Sequence, residues 1–286
     1  MIFRWLLKIL DWLKKRFSCK KYSGKMSLQQ LTYQEANKYF GPDSSVKYLY
    51  HYTTIEALIN GIIAPMPKEG EEICIRATHN QYMNDPSEFQ IGVALLKEIS
   101  TKLEQKEADI RPINELFEEY RKNFYFLCFS EQADSLPMWN MYGANGQGIA
   151  LKFKRFEQTV NNEWLVKCEY EKNNVAPRFA KLMQENQTAA ITYLALMPFI
   201  LKHPAYSHEE ETRFVGAFPH LPTKYRYKNG LPIPYKVIVA EKEILESIVI
   251  GPAANQDAVE QSLRKFLDDH NLNQVTIERS QIPYRL

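Results

Sequence analysis

Phe124-Tyr125-Phe126-Leu127-Cys128-Phe129-Ser130 is a nearly continuous apolar run of strand length, the pattern of a strand buried on both faces. Before it, Val46 to Tyr52 is rich in aromatic and β-branched residues and reads as a strand. Thr53 and Glu56 are then spaced as a capping box for a helix through about Gly61. Ile73 to Thr78 reads as a further strand. The turn Asn84-Asp85-Pro86 leads to Ser87 as the cap of a helix carrying Phe89, Val93, Leu96 and Ile99 at helical spacing, and a second amphipathic stretch ends near Lys122. After the apolar run, Met138, Trp139, Met141 and Tyr142 stand beside Gly143, Gly146 and Gly148, aromatics to pack and a backbone free to turn. Ile149 to Phe153 and Leu165 to Tyr170 read as strands, and Ala176 to Leu201 as one long or interrupted helix ending before Pro204. The last third alternates strands at Thr212 to Gly216, Tyr235 to Ala240, Ser247 to Ile250 and Gln274 to Glu278 with a helix at about Asn255 to His270. Unequal helices between the strands, without regular alternation, predict an α+β fold rather than a doubly wound sheet.

With 45% hydrophobic residues in 286, the chain has enough apolar side chains for one large core and lies far from the composition of disorder. The formal charge of +2 is uneven. Residues 1–25 hold Arg4, Lys8, Lys14, Lys15, Arg16, Lys20, Lys21 and Lys25 against Asp11, a surplus of +7 that leaves the remainder at −5. In residues 1–17 the charged Arg4, Lys8, Asp11 and Lys15 oppose Ile2, Leu6, Ile9, Leu10 and Leu13, which predicts a basic amphipathic helix. Its charges interrupt it too often for a membrane span, and it lacks the pattern of a cleaved signal. Two partners suit it equally: an anionic membrane surface, reached through Trp5 and Trp12, or an apolar face on a partner protein or on the domain itself. The expected organisation is a helix in 1–25, a connector in 26–45 and one domain in 46–286. Cys19, Cys74, Cys128 and Cys168 are scattered, which fits a reducing, cytoplasmic setting, either free or peripheral at the inner face of the membrane.

Two segments carry chemistry. In Leu49-Tyr50-His51-Tyr52-Thr53-Thr54 a histidine ends a strand just before a helix start, a plausible nucleotide contact, although histidines in aromatic strands are more often structural. In Glu209-Glu210-Glu211-Thr212-Arg213 an extended chain puts Glu209, Glu211 and Arg213 on one face. There the two acids raise each other's pKa while Arg213 lowers it; the competing reading is a solvated acidic loop. The glycines at 143, 146 and 148 lack the Lys-Ser/Thr of a phosphate loop, and His203 and His208 have no metal-ligand spacing, so no metal is expected. Outside residues 1–25 the basic residues are dispersed except for Lys224, Arg226 and Lys228, and direct nucleic-acid binding by the domain is not indicated.

Taken in order, Tyr50-His51-Tyr52-Thr53-Thr54, Asn84-Asp85-Pro86-Ser87-Glu88-Phe89, Cys128-Phe129-Ser130-Glu131, Met138-Trp139-Asn140-Met141-Tyr142-Gly143 with Gly148, Glu209-Glu210-Glu211-Thr212-Arg213, Ile250-Gly251-Pro252 and Ser280 to Arg285 form one set. The set resembles a family of largely uncharacterised prokaryotic proteins associated with abortive infection and anti-phage defence, which looks like a branch of the ADP-ribosyltransferase superfamily. The resemblance runs from about Leu49 to Arg285. It implies a split β-sheet flanked by helices, NAD as substrate, and a macromolecular acceptor, protein or nucleic acid. It further implies that His51 contacts a ribose, with Thr53 and Arg213 beside the nucleotide, and that Tyr142 or Tyr52 stacks on nicotinamide. Glu211 is the implied catalytic carboxylate, with Glu209 orienting the acceptor and Glu210 competing in register. The same resemblance admits an NAD glycohydrolase, and a different class of function stays open beside it, a catalytically silent nucleotide- or partner-binding module.

Overall fold

The computed structural model describes residues 38–63, 72–85, 89–95, 122–156 and 163–284. The helix expected in 1–25, the start of the connector, Ser87 and most of the stretch before Lys122 lie outside the described residues. What is described is a mixed α and β fold built on one large sheet flanked by helices.

Ten strands form the sheet: β1 Tyr48–Thr53, β2 Glu72–His79, β3 Tyr125–Ser130, β4 Ile149–Lys154, β5 Glu163–Lys167, β6 Glu211–Gly216, β7 Lys224–Lys228, β8 Leu231–Glu241, β9 Leu245–Ile250 and β10 Thr276–Arg279. All pairings are antiparallel except β9 with β10. The apolar run around Phe126 is the hub. Along one edge β3 pairs with β6 from Tyr125 opposite Gly216 to Ser130 opposite Glu211. Its other edge is shared: β2 takes Tyr125 and Phe126, and β1 takes Ser130. A strand has only two edges, so β1 and β2 diverge around Leu127 to Phe129 and the sheet forks there. One arm continues from β1 through β4 and β9 to β10, and the other from β2 through β8 to β7.

The two faces carry separate cores. On one, α2 (Lys172–Glu185) and α3 (Gln187–Ile200) cover Phe124, Phe126, Val166 and Val215, with Tyr193, Met197 and Phe199 fully buried between the layers. On the other, Leu263 and Leu267 of α4 (Gln256–Asp269) join Leu58, Ile62 and Ile63 against Leu49, Leu127, Phe129, Leu151 and Ile248. Each fully buried side chain of this size contributes about 1.5–3 kcal/mol. Alternation on half-exposed strands and 3.6-residue spacing on helices produce this layering directly.

The helix expected at Ala176 to Leu201, one long or interrupted, is interrupted at Asn186. That residue's side chain accepts from the Ala189 amide and starts α3 as its cap, so a local polar contact outcompetes a continuous helix. The capping box placed at Thr53 falls one residue later. Thr54 accepts from the Ala57 amide, and the short helix Ile55–Ala57 widens into the π-helical stretch Leu58–Ile63. The segment of aromatics and glycines is a short helix, α1 (Leu136–Tyr142), followed by a tight loop. There a Cβ at Gly148 would stand 2.3 Å from the Thr53 carbonyl oxygen, a backbone atom that cannot swing aside. Gly148→Ala is therefore expected to lower stability by about 1–3 kcal/mol, read as a drop in the urea midpoint. An unchanged midpoint would mean that the end of β1 shifts freely.

Candidate functional site

The fork opens onto a cavity enclosing about 90 Å³, lined among others by Tyr50, His51, Tyr52, Cys128, Ser130, Tyr142, Lys202, Glu209 and Glu211. Cross-strand register explains the convergence. Tyr50 faces Ser130 and Ser130 faces Glu211, so the three stand in one row on the face covered by α2 and α3. His51 leaves the opposite face of β1 and fills the gap in the fork, its Nδ1 donating to the Cys128 carbonyl oxygen at 2.9 Å. Burial lowers the pKa of His51 against the pull of that carbonyl, with Arg226 adding to the effect, so the ring is neutral and Nε2 is left as an acceptor.

The glutamates arrive by different routes. Glu211 begins β6 and shares a face with Arg213, as extended chain requires. Glu209, expected on that same extended face, instead ends a 3₁₀ turn, Pro204–Glu209, and Glu210 between them adopts a left-handed conformation at φ 40°. A non-glycine residue there stores strain, and its surroundings hold it: the Glu131 amide donates to the Glu210 carbonyl, and Ser130 Oγ to the Glu209 carbonyl at 2.7 Å. This kink turns both neighbouring carboxyls inward, while Glu210 stays at the surface and bonds Gln132.

Lys202, which sequence reasoning missed, joins the two acids. Its Nζ donates to Glu209 Oε2 and, at 2.7 Å, to Glu211 Oε2, beneath the ring of Tyr206. Arg213, fully buried behind Glu211 and not part of the cavity wall, grips that carboxylate with Nε at 2.9 Å and Nη2 at 2.8 Å. Tyr142 closes the other side by donating to Glu209 Oε1 at 2.7 Å. The electrostatic outcome is opposite for the two acids. Burial opposes ionisation of Glu211, but Arg213 and then Lys202 overcome it and hold the group well below the ordinary carboxylate range. For Glu209 burial prevails, with Glu211 adding to the rise and Lys202 only moderating it. Two carboxyls whose environments drive them apart are the arrangement in which one stays charged and the other moves a proton.

Of the remaining expected residues, Tyr52 lines the cavity but is heavily engaged. Its hydroxyl donates to the Gln132 carbonyl and accepts from the Ser135 amide, and its ring packs edge-on against Trp139 at 4.8 Å. Thr53 is not in the wall. Asn84 and Asp85, read as parts of a plain turn, are in it. Among the described residues no group of three or more His, Cys, Asp or Glu is arranged to hold a metal ion, and no helix is long and apolar enough to cross a membrane.

No curated protein and no solved structure matches the chain. Over residues 138–214, from Met138 in α1 to Phe214 in β6 and so including Tyr142, Lys202, both glutamates and Arg213, the chain is similar to a family described as a protein of unknown function, DUF2971.

Proposed function

We propose that the cavity at the fork is an active site that uses NAD as substrate, breaking the bond between nicotinamide and ribose C1′ and passing ADP-ribose to a protein or nucleic-acid acceptor. The observation that carries this reading is the pair of buried glutamates driven in opposite directions around Lys202. When the glycosidic bond breaks, its electron pair leaves with nicotinamide, and positive charge develops on the ribose. A carboxylate held ionised in a water-poor site stabilises that charge, which is the role of Glu211. The acceptor's oxygen or nitrogen then bonds to C1′ and releases a proton, which Glu209, with its raised pKa, takes up. Neutral His51 accepts a hydrogen bond from a ribose hydroxyl through Nε2. Tyr142 suits the nicotinamide ring better than Tyr52, whose ring already packs on Trp139.

A second reading, hydrolysis of NAD by water, is favoured by one observation. Glu209 and Glu211 are buried, 2% and 4% exposed, and water reaches such carboxyls more readily than a group on a macromolecule does. The test is incubation of the full-length protein with labelled NAD and a cell lysate, beside Glu211→Gln and His51→Ala. Label is expected in macromolecules, reduced about 100-fold or more by Glu211→Gln, a loss typical of removing one group that stabilises a transition state. Label recovered only as free ADP-ribose supports hydrolysis. Equal turnover by Glu211→Gln removes its assignment, and the absence of both products leaves the binding-module reading.

A further inference from the structure

The arm of the sheet built from β2, β8 and β7 carries two arginines that no acid among the described residues answers. Arg76 on β2 and Arg226 on β7 belong to strands that flank β8, with Arg76 opposite Val237 and Arg226 opposite Ile233. Arg226 Nη2 donates to Thr78 Oγ1 at 3.1 Å, while its Nε is buried with no hydrogen-bond partner. The Arg76 guanidinium lies 5.2 Å from the centre of the Tyr235 ring, and its polar contact is a long one, 3.5 Å from Nη2 to the Asn60 carbonyl. Among the described residues neither guanidinium makes an ion pair with a carboxylate. Both guanidinium groups thus meet the same cross-strand pair, Thr78 and Tyr235, and one has an unsatisfied buried donor, an arrangement costly to fold unless an anion joins them.

The pair also stands beside the fork: Thr78, to which Arg226 donates, lies opposite Phe126, the residue at which β2 parts from β3. We propose that Arg76, Arg226 and the Thr78 hydroxyl form a phosphate subsite beside the fork, outside the cavity wall, which holds the diphosphate of a dinucleotide whose other end reaches Glu209 and Glu211. The planar fork of donors on each arginine matches phosphate oxygens in pairs. Phosphate binding here stands on its own geometry; the dinucleotide as its bearer rests on the proposed function. A nucleic-acid backbone fits less well. Tyr225 and Tyr227, 66% and 82% exposed, are the rings on which bases would stack, and they alternate along β7 with Arg226, on the opposite face.

Calorimetry on the full-length protein tests this, with inorganic pyrophosphate, ADP-ribose and a single-stranded oligoribonucleotide as separate probes. Pyrophosphate and ADP-ribose are expected to bind, each weakened about tenfold or more by Arg226→Gln and by Arg76→Gln, and less by Arg226→Lys, which keeps the charge. Pyrophosphate affinity that is absent, or equal in Arg226→Gln, overturns the subsite, as does binding of the oligonucleotide without pyrophosphate. Pyrophosphate binding lost in the variants, without any ADP-ribose binding, keeps the subsite and removes the dinucleotide. NAD turnover with unchanged KM in Arg226→Gln does the reverse.

Discussion

Replacing Arg213 with leucine is expected to remove about 3–5 kcal/mol of folding stability, most of what a domain of ordinary stability has to lose. The size follows from burial. Surface ion pairs contribute about 0–1 kcal/mol because water screens them, whereas Arg213 is 0% exposed and has three good acceptors: both oxygens of Glu211 and, at 2.7 Å, the Phe199 carbonyl. Leucine leaves the Glu211 charge with Lys202 and the weak Cys168 thiol donor, and the Phe199 carbonyl without its arginine partner. The double variant Arg213→Leu with Glu211→Leu should recover much of the loss, because Lys202 then pairs one to one with Glu209 and an apolar pair of similar bulk replaces the ionic one. Urea unfolding of the three proteins measures this. A loss under about 1 kcal/mol for the single variant would show that water reaches the pair.

Lys202→Met is expected to cost a similar amount, about 3–5 kcal/mol near neutral pH, with a pH signature to which Glu209 contributes as well as Glu211. Lys202 is 4% exposed and is the cation that moderates the rise in the Glu209 pKa, so its removal pushes that pKa higher still. A carboxyl that binds its proton more tightly when folded adds stability that is full below the ordinary value of 4.5 and lost as pH climbs through the folded value. The deficit of the variant should therefore widen from mildly acidic to alkaline pH. Glu211 behaves in the opposite sense. Its depressed pKa contributes stability that is complete above 4.5 and is withdrawn as pH falls beneath it. In catalysis, the acid limb of the pH profile of Lys202→Met should move to higher pH, because Glu209 must lose a proton before it can accept one. A limb that stays in place would show that another group titrates there.

The strands were legible where side-chain pattern alone decides them. Phe124 to Ser130 is apolar on both faces because β3 is covered by helices on both, and the Glu-Thr-Arg-Phe-Val stretch keeps Glu211 and Arg213 on one face because β6 is extended. The meeting of His51, Tyr142, Glu209 and Glu211 could be expected only through the resemblance, since nothing local encodes a fork in a sheet. Lys202 was missed because it follows an apolar helix and reads as the polar end of it. The available signal was its setting: one cation in Phe199-Ile200-Leu201-Lys202, where solvent is remote and a charge needs a partner. The kink at Glu210 had no signal, since glycine or asparagine is the usual occupant of left-handed backbone. The hairpin of β7 and β8 did have one in Asn229-Gly230, both at positive φ as a tight two-residue turn requires.

Asp134, just before α1, ties Ser280 and Gln281 to the cavity wall. Its carboxylate accepts from Trp139 Nε1, from Ser280 Oγ at 2.7 Å and from the Gln281 amide at 2.9 Å, joining residues 146 positions apart in sequence. The helix that carries Tyr142 is thus buttressed by residues that a ribosome delivers long after it. During synthesis every side chain of the cavity is present well before residue 280 emerges, yet the clasp that steadies α1 is not. Arrival of residues 280 and 281, rather than of the cavity's own chemical groups, is the event that locks this wall in place.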